Sequence, residues 1–337
     1  MRIAVINSGS FIGKNLIENL KNIRDGKNRT RPDLEINEIY SDEVKDADVV
    51  IQLPGECLSE DHLIEVRLSG ECITYSVPQI VGKWQEPESG VAYLCHVIAN
   101  DEEYSVADEN ESLELLFIDD FMKEMLDALE GRPHVEGCST VKMGSDCASD
   151  MDSRVCYFPN VINTTVGEVI EHLKSFARLN TTLVVPPIPT GSLAYKLFSM
   201  YLSYLPERKM SYPVKANVDN RGVFSELVKT QNNGQVSINI ARPGNVRGQH
   251  WHNTKWEIFI VVSGHGLIQQ RQIGTDKIYN FEVRGEDMRA VIMLPGYTHN
   301  IINLEDDRDL VTVMFANEQF DPAHPDTFFE VVDENYG

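Results

Sequence analysis

Gly244-Asn245-Val246-Arg247-Gly248-Gln249-His250-Trp251-His252-Asn253-Thr254-Lys255-Trp256-Glu257 decides the fold of the second half of this chain, together with Pro295-Gly296-Tyr297-Thr298-His299-Asn300-Ile301-Ile302-Asn303. His250 and His252 alternate along one strand, so both imidazoles leave the same face. Glu257 lies five residues beyond His252, and His299 comes from a distant strand. Three imidazoles and one carboxylate converging inside a small barrel suit Zn, Fe, Ni or Mn. The glycines and Pro295 stand where such a barrel must turn between short strands.

The spacing Gly244-x5-His250-x-His252-x4-Glu257-x6-Gly264, followed by Pro295-Gly296-x2-His299-x3-Asn303, resembles the two-part signature of cupins. Three of the nine histidines occupy motif positions, with the glutamate in register. His250, His252, Glu257 and His299 are therefore the expected metal ligands, and the expected fold is a jelly-roll β-barrel.

The surrounding residues read the same way. From Tyr212 onward, short apolar stretches recur between Gly, Pro, Asn and Asp: 236–240, 258–262, 266–271, 277–283, 289–293 and 310–315. Such regular short strands predict an all-β domain. The first half has a different grammar. Ile3–Ile6 reads as a strand, Asn7-Ser8-Gly9-Ser10-Phe11-Ile12-Gly13 as a turn, and residues 12–23 as a helix with Leu16, Ile17 and Leu20 on one face. Strands near 49–53, 72–77 and 115–118 and helices near 92–99 and 119–129 complete an alternation that predicts a parallel α/β sheet. A poorly patterned stretch, 137–153, precedes an amphipathic helix at 165–179 and a further helix at 193–205. The division is placed at 205/206: a Rossmann-like domain over 1–205 and a barrel over 206–337.

Composition limits what such a protein can bind. A net charge of −22, from 30 basic and 52 acidic residues, argues against a nucleic-acid surface but not against an anionic small molecule held by a few local arginines. No apolar run reaches bilayer length, and Met1-Arg2-Ile3-Ala4-Val5-Ile6 begins a strand rather than a signal peptide, so a cytoplasmic protein without membrane partners is expected. The six cysteines all precede the barrel, form no C-x-x-C pair, and read as reduced structural residues.

A Rossmann-like start joined to this barrel resembles the CapF-type enzymes of capsular-polysaccharide synthesis. The likeness is strongest from Ser199 to Val332, at 201–206, Asn217-Val218-Asp219-Asn220-Arg221-Gly222, 250–255, 295–300 and 320–327. Gly82-Lys83-Trp84 and Ile118-Asp119-Asp120 carry a weaker likeness. The resemblance implies a homodimer whose barrel epimerises C3 of a UDP-linked 2-acetamido-2,6-dideoxy-4-hexulose. It also implies an N-terminal short-chain reductase domain that reduces the C4 ketone with NADPH. A second pattern, Asp219-x-Arg221-Gly222-x-Phe224-x-Glu226, Gln235 and Arg247-Gly248-x-His250, is similar to nucleotide-sugar 4-keto 3,5-epimerases. That likeness implies that Arg221 and Arg247 meet a diphosphate, that Glu226 and Gln235 border the substrate, and that His250 is the base.

The chemistry and the ligand assignment pull against each other. A C4 ketone acidifies the C3 hydrogen, so inversion needs a base, an acid on the opposite face and positive charge near the oxygen. A His250 that ligates metal cannot also take the proton through the coordinated nitrogen. Lys255 and Tyr297 are then the candidate proton carriers.

The reductase half is worn. None of the twelve tyrosines has a lysine four residues on, although family reductases use a Tyr-x3-Lys pair. Family loops carry Gly-x2-Gly-x2-Gly, and these positions read Asn7, Ser10 and Gly13, with Gly9 in a different register. Between Leu53-Pro54-Gly55 and Cys72 there is no room for the strand and long helix that carry the family's pair. Three readings remain: an epimerase with a lost reductase, a bifunctional enzyme with rearranged catalytic residues, and a sugar-nucleotide-binding scaffold. An iron or manganese oxygenase is a rival use of the same ligands.

Overall fold

The computed structural model describes residues 1–337 except 45, 55–62, 69–70, 136–151, 233 and 337. It divides into two compact units, Met1–Lys174 with Ile188–Pro206, and Ser175–Pro187 with Glu207–Gly337.

In the first unit, β1 (Arg2–Ile6), β2 (Glu38–Ser41), β3 (Val49–Gln52), β4 (Leu63–Leu68), β5 (Glu71–Ser76) and β8 (Asp152–Cys156) form one sheet in the order β2-β1-β3-β4-β5-β8. A small second sheet joins β6 (Gln79–Val81), β7 (Ser112–Phe117) and β9 (Ile162–Thr165). Helices α1 (Phe11–Arg24), α2 (Gly90–Asn100) and α3 (Ile118–Leu129) fall close to the expected positions. Leu16, Ile17 and Leu20 of α1 join Ile3, Val5, Ile51, Ile73, Phe121 and Met125 in one apolar core.

The parallel-sheet expectation needs correction. β1 pairs in parallel with β2 and β3, and β5 with β8, but β3-β4 and β4-β5 are antiparallel. β4, antiparallel to both of its neighbours, makes the sheet mixed. Most of the unpatterned stretch 137–153 lies outside the described residues, as do Cys57, Cys138 and Cys147; Cys72, Cys95 and Cys156 are buried thiols.

In the second unit, β10 (Val184–Val185), β11 (Asn217–Asp219), β12 (Gly222–Thr230), β13 (Gln235–Ala241), β14 (Val246–Trp251), β15 (Glu257–Ser263), β16 (His265–Gln272), β17 (Ile278–Arg284), β18 (Ala290–Met293), β19 (Tyr297–Asn303), β20 (Leu310–Ala316) and β21 (Phe328–Phe329) build two sheets. Their orders are β10-β12-β13-β20-β15-β18, with β11 on β12, and β17-β16-β19-β14-β21. Phe259, Val261, Met293 and Leu310 from the first sheet and Ile268, Val283 and Ile301 from the second share one apolar core.

The 205/206 division is also corrected for one segment. Val184 and Val185 pair in parallel with Lys229 and Thr230, so Ser175–Pro187 belongs to the β unit. The chain thus leaves a strand in that unit before the expected boundary. Among the described residues no helix is long and apolar enough to cross a membrane.

Candidate functional site

His250 and His252 are aimed by a distortion rather than by simple alternation. β14 ends at Trp251, and the β14–β19 register slips between Gly248 and His250, a β-bulge that brings His250 opposite His299. Gln249 lies in the left-handed region at φ 64°. A Cβ on Gly248 would stand 2.7 Å from the His299 carbonyl oxygen, so only glycine lets the two strands approach this closely. Glu257 opens β15 in the opposite sheet, and His299 lies in β19.

The four side chains converge on one point of the β unit. Their candidate ligand atoms all lie within 4.8 Å of one another. The His299 and His252 Nε2 atoms are 3.2 and 3.6 Å from Glu257 Oε2. The His250 ring centroid is 4.7 Å from that of His299 and 5.0 Å from that of His252. His299 is fully buried, and His252 and Glu257 are 2% and 5% exposed. His252 Nε2, His299 Nε2 and Glu257 Oε2 have no hydrogen-bond partner.

The outer faces of these rings are fixed. His252 Nδ1 meets the Asp326 carbonyl, and His299 Nδ1 faces the Tyr297 carbonyl at 3.4 Å, so both rings turn Nε2 inward. Asp326 is a functional residue that the sequence reading left without a role. Its carboxylate accepts the amides of Asn253 (2.8 Å), Thr254 (2.8 Å) and Lys255 (3.1 Å) and so moulds the loop between two ligands. Burial works to raise this carboxyl, but the three amides outweigh it and hold it well below the usual range.

The cluster is electrically unusual. Burial pushes His250 down to about 3, and the neighbouring His299 and His252 add to this. Burial acts to raise Glu257, yet His252, His299 and Lys255 together hold it well below the ordinary carboxylate range. A neutral His250, an ionised Glu257 and buried ring nitrogens of His252 and His299 lacking partners fit a divalent cation. By contrast, Glu124, Asp127 and His134 also cluster but are already committed. Glu124 binds Tyr75 Oη (2.8 Å) and His134 Nδ1 (2.6 Å), and Asp127 pairs with Arg31.

A cavity of about 650 Å³ opens from this cluster and is lined by most of the residues singled out in the sequence: Arg221, Glu226, Gln235, Arg247, His250 and Lys255. Lys255 Nζ lies 3.5 Å from Glu257 Oε1. Tyr297 does not border this cavity; its ring packs beside Tyr279, with centroids 6.4 Å apart. Glu226 is ion-paired with Lys229 at 2.9 Å.

The arginines are organised by Asp219. One carboxylate oxygen accepts Arg247 Nη1 (2.8 Å) and the amides of Arg221 and Gly222, while the other accepts Arg221 Nη2 (2.8 Å) and Nε (3.2 Å). These bonds, led by that from the Arg221 guanidinium, hold Asp219 below its usual range. Strand register separates the two ends of the cavity. Gln235 and Glu257 both sit opposite Ala316, whereas Gly222, next to Arg221, sits opposite Ala241 at the far end of β13.

Ser237 and Asn239 also line the cavity and were missed. The available signal was the alternation Gln235-Val236-Ser237-Ile238-Asn239-Ile240, which places a polar face where a barrel interior should be apolar.

Comparison with known proteins follows this geometry. A model of the polysaccharide biosynthesis C-terminal domain matches residues 217–328. The UDP-2-acetamido-2,6-beta-L-arabino-hexul-4-ose reductase of Pseudomonas aeruginosa is 32% identical over 274 residues, 80% of this chain and 68% of that protein. The crystal structure of the capsular polysaccharide assembling protein CapF from Staphylococcus aureus matches with a TM-score of 0.80 at 31% identity, covering 98% of this chain and 100% of that one. The chain belongs to the CapF-type family of polysaccharide enzymes. A spore coat polysaccharide biosynthesis protein of Bacillus subtilis, SpsL, is 24% identical over 117 residues, 32% of this chain and 78% of its own length.

In this CapF-type chain the N-terminal loop keeps a turn but not a cradle for NADPH. Asn7 occupies the left-handed region at φ 61°, which asparagine tolerates, and its Nδ2 donates to the Leu53 carbonyl at 2.7 Å. Ser10 caps α1, its hydroxyl accepting the Gly13 amide at 3.1 Å. Gly13 preserves close packing, since a Cβ there would lie 2.5 Å from the Ser8 carbonyl oxygen; around Gly9 nothing lies within 4 Å. At the end of β2, Asp42 is bound by the Ser8 amide (3.1 Å) and hydroxyl (2.5 Å). In dinucleotide-binding folds a carboxylate here suits a ribose diol and opposes a 2′-phosphate. These residues do not fit NADPH. A second cavity of about 660 Å³, bordered by Gly9, Ser10, Lys14, Trp84 and Gln85, lies beside this loop.

Proposed function

We propose that this chain is a nucleotide-sugar epimerase of polysaccharide biosynthesis that inverts C3 of a UDP-2-acetamido-2,6-dideoxy-4-hexulose. We read its β unit as a cupin barrel and its N-terminal unit as a shortened Rossmann-like domain that has lost hydride transfer. One observation carries this reading: a single cavity has a cation-ligand set at one end and a paired, oriented set of arginines at the other.

The spacing suits a sugar diphosphate. Six residues of β13 separate the level of Gln235 from that of Ala241, opposite Gly222, ~20 Å of strand that the long arginine side chains shorten. Guanidinium forks bind phosphate oxygens bidentately, so Arg221 and Arg247 hold the diphosphate and leave the keto sugar reaching toward the cluster. A divalent cation held by His250, His252, Glu257 and His299, by ligand type zinc, supplies Lewis acidity beside a ketone oxygen. Lys255 lines the cavity next to Glu257, with Nζ 3.5 Å from Oε1, and is the group we place on one face of C3; inversion takes the proton from that face to the amine and returns one from solvent to the other. We read His250 as a ligand rather than a base because its ring lies against those of His252 and His299 within the four-residue cluster.

The test is incubation with the UDP-4-keto acetamido sugar in heavy water, with and without NADPH. Deuterium at C3 without oxygen uptake separates an epimerase from an oxygenase or a scaffold. The Pseudomonas relative is a reductase, which favours a bifunctional second reading. NADPH oxidation by this chain would establish it.

A further inference from the structure

Arg247 and His250 both line the C-terminal cavity, yet three residues apart on a regular strand they would point to opposite faces. The β14–β19 register resolves this. Arg247 stands opposite Ile301 and His250 opposite His299, so Gln249 is one extra residue inserted between them. Without that insertion, His250 would fall on the outer face whenever Arg247 lies inside. Gln249 holds φ 64°, a conformation open to glycine but costly for a residue with a Cβ. A glutamine at this position therefore has to be held.

The C-terminal segment does the holding. The Gln249 carbonyl accepts the Glu330 amide at 3.0 Å, its Oε1 accepts the Val332 amide at 2.9 Å, and its Nε2 donates to the Tyr336 carbonyl at 3.0 Å. Asn300 Nδ2 adds a longer contact to Oε1, 3.4 Å. Just beyond the bulge, His250 and Trp251 pair with Phe329 and Phe328 of β21, and the Trp251 and Phe328 ring centroids are 4.7 Å apart. The segment is itself fastened to the sheet. Arg271 on β16 donates to the carbonyls of Val331 (2.8 Å) and Val332 (3.1 Å) and to Glu330 Oε1 (3.0 Å). Thr298, next to His299, donates to the Glu330 carbonyl. Residues 330–336 thus grip the inserted residue by main chain and side chain alike.

We propose that Gln249 is a positioning residue through which the C-terminal segment 328–336 keeps His250 inside the ligand cluster. Released from that grip, the strand sheds its extra residue by one register step, and the step carries the His250 imidazole from the cavity to the outer face. His252 is tethered separately by the Asp326 carbonyl, and Glu257 and His299 lie on other strands, so those three stay together. The inference rests on the reading of His250, His252, Glu257 and His299 as cation ligands, and adds to it the part of the chain that sets one of the four.

Cation binding tests this without relying on turnover. The native chain, Gln249→Gly and His250→Ala are titrated with zinc against a chromophoric chelator, and their cobalt(II) forms are compared by visible absorption. Glycine adopts φ 64° freely, so Gln249→Gly removes the side-chain grip without adding backbone strain. It should bind zinc about 10–100-fold more weakly than the native chain, and its cobalt(II) bands should match those of His250→Ala. Gln249→Glu keeps the acceptor for the Val332 amide but loses the donor to Tyr336, and its zinc affinity should fall between. Thermal melting checks folding, and the glutamate variant decides if the glycine variant does not fold. Native cobalt(II) bands in the folded variant overturn the role of Gln249, whatever the zinc affinity. A native chain that binds neither cation, or a His250→Ala chain with native bands, overturns the ligand reading on which the inference rests.

Discussion

Lys255 Nζ lies 3.5 Å from Glu257 Oε1, while Oε2 of the same carboxylate faces His299 and His252 at 3.2 and 3.6 Å. One carboxylate thus joins the histidine cluster to the amine that borders the cavity. On the proposed reading, this shared glutamate sets the proton carrier beside the ligand set without making it a ligand. Lys255→Met should then keep the bound cation but slow C3 proton exchange by about 10²–10⁴. Metal content by mass spectrometry, together with exchange followed by NMR, checks both halves. Loss of the cation in that variant would show that Lys255 acts on the cluster instead.

The ligand set makes a different prediction. His252→Ala and His299→Ala should each abolish stoichiometric binding of zinc, and exchange should disappear with it. Glu257→Gln keeps the volume but removes the charge, and should weaken the cation by about 10-fold or more. Atomic absorption on freshly purified variants measures this. Full cation occupancy in His299→Ala would contradict the assignment.

Arg221→Ala and Arg247→Ala should raise KM for the UDP-sugar by about tenfold or more and change kcat less, because they hold the diphosphate and not the reacting carbon. Equal losses in kcat and kcat/KM would place them at the reacting carbon instead.

Asp326→Asn should destabilise the β unit by about 1–3 kcal/mol, since the native carboxylate satisfies three successive backbone amides. The native carboxyl is depressed below its unfolded value near ~3.9. Its contribution is therefore present above that pH and is lost as the pH falls below it toward the folded value. Melting curves of native and variant chains should converge under acid conditions and separate near neutrality. A constant difference across the range would deny the carboxylate its role.

The N-terminal loop offers a contrast of two glycines. Gly13→Ala forces a Cβ to within 2.5 Å of the Ser8 carbonyl oxygen, whereas Gly9→Ala meets nothing within 4 Å. The first should lower the melting temperature of the full chain and the second should leave it unchanged. Equal melting of the two variants would show that α1 is free to retreat from the loop.

The sequence was most readable where chemistry needs fixed spacing. His250, His252, Glu257 and His299 could be singled out because a ligand set tolerates few residue types, and the strand alternation around Phe259 and Ile301 follows from a period of two. It was less readable where backbone distortion does the aiming. Nothing in Gly248-Gln249 announces a bulge, and another in β12 between Glu226 and Val228 broke the alternation that would have marked that strand. β4 was missed because Leu63–Leu68 lies where a crossover helix was expected and found wanting. Nearness in sequence to His299 does not fix where the Tyr297 ring packs, and the fold sets it beside Tyr279. Asp326 is 74 residues from His252 in the chain, and only the fold brings its carbonyl to that imidazole.

The most direct measurement follows one hydrogen. The purified chain is supplied with the UDP-linked 4-keto acetamido sugar in heavy water without NADPH, as isolated, after chelation, and after zinc is restored. The site predicts deuterium at C3 in the first sample, its loss in the second and its return in the third. No label with the zinc-restored chain, or undiminished labelling after complete removal of the cation, would contradict a cation-dependent epimerase.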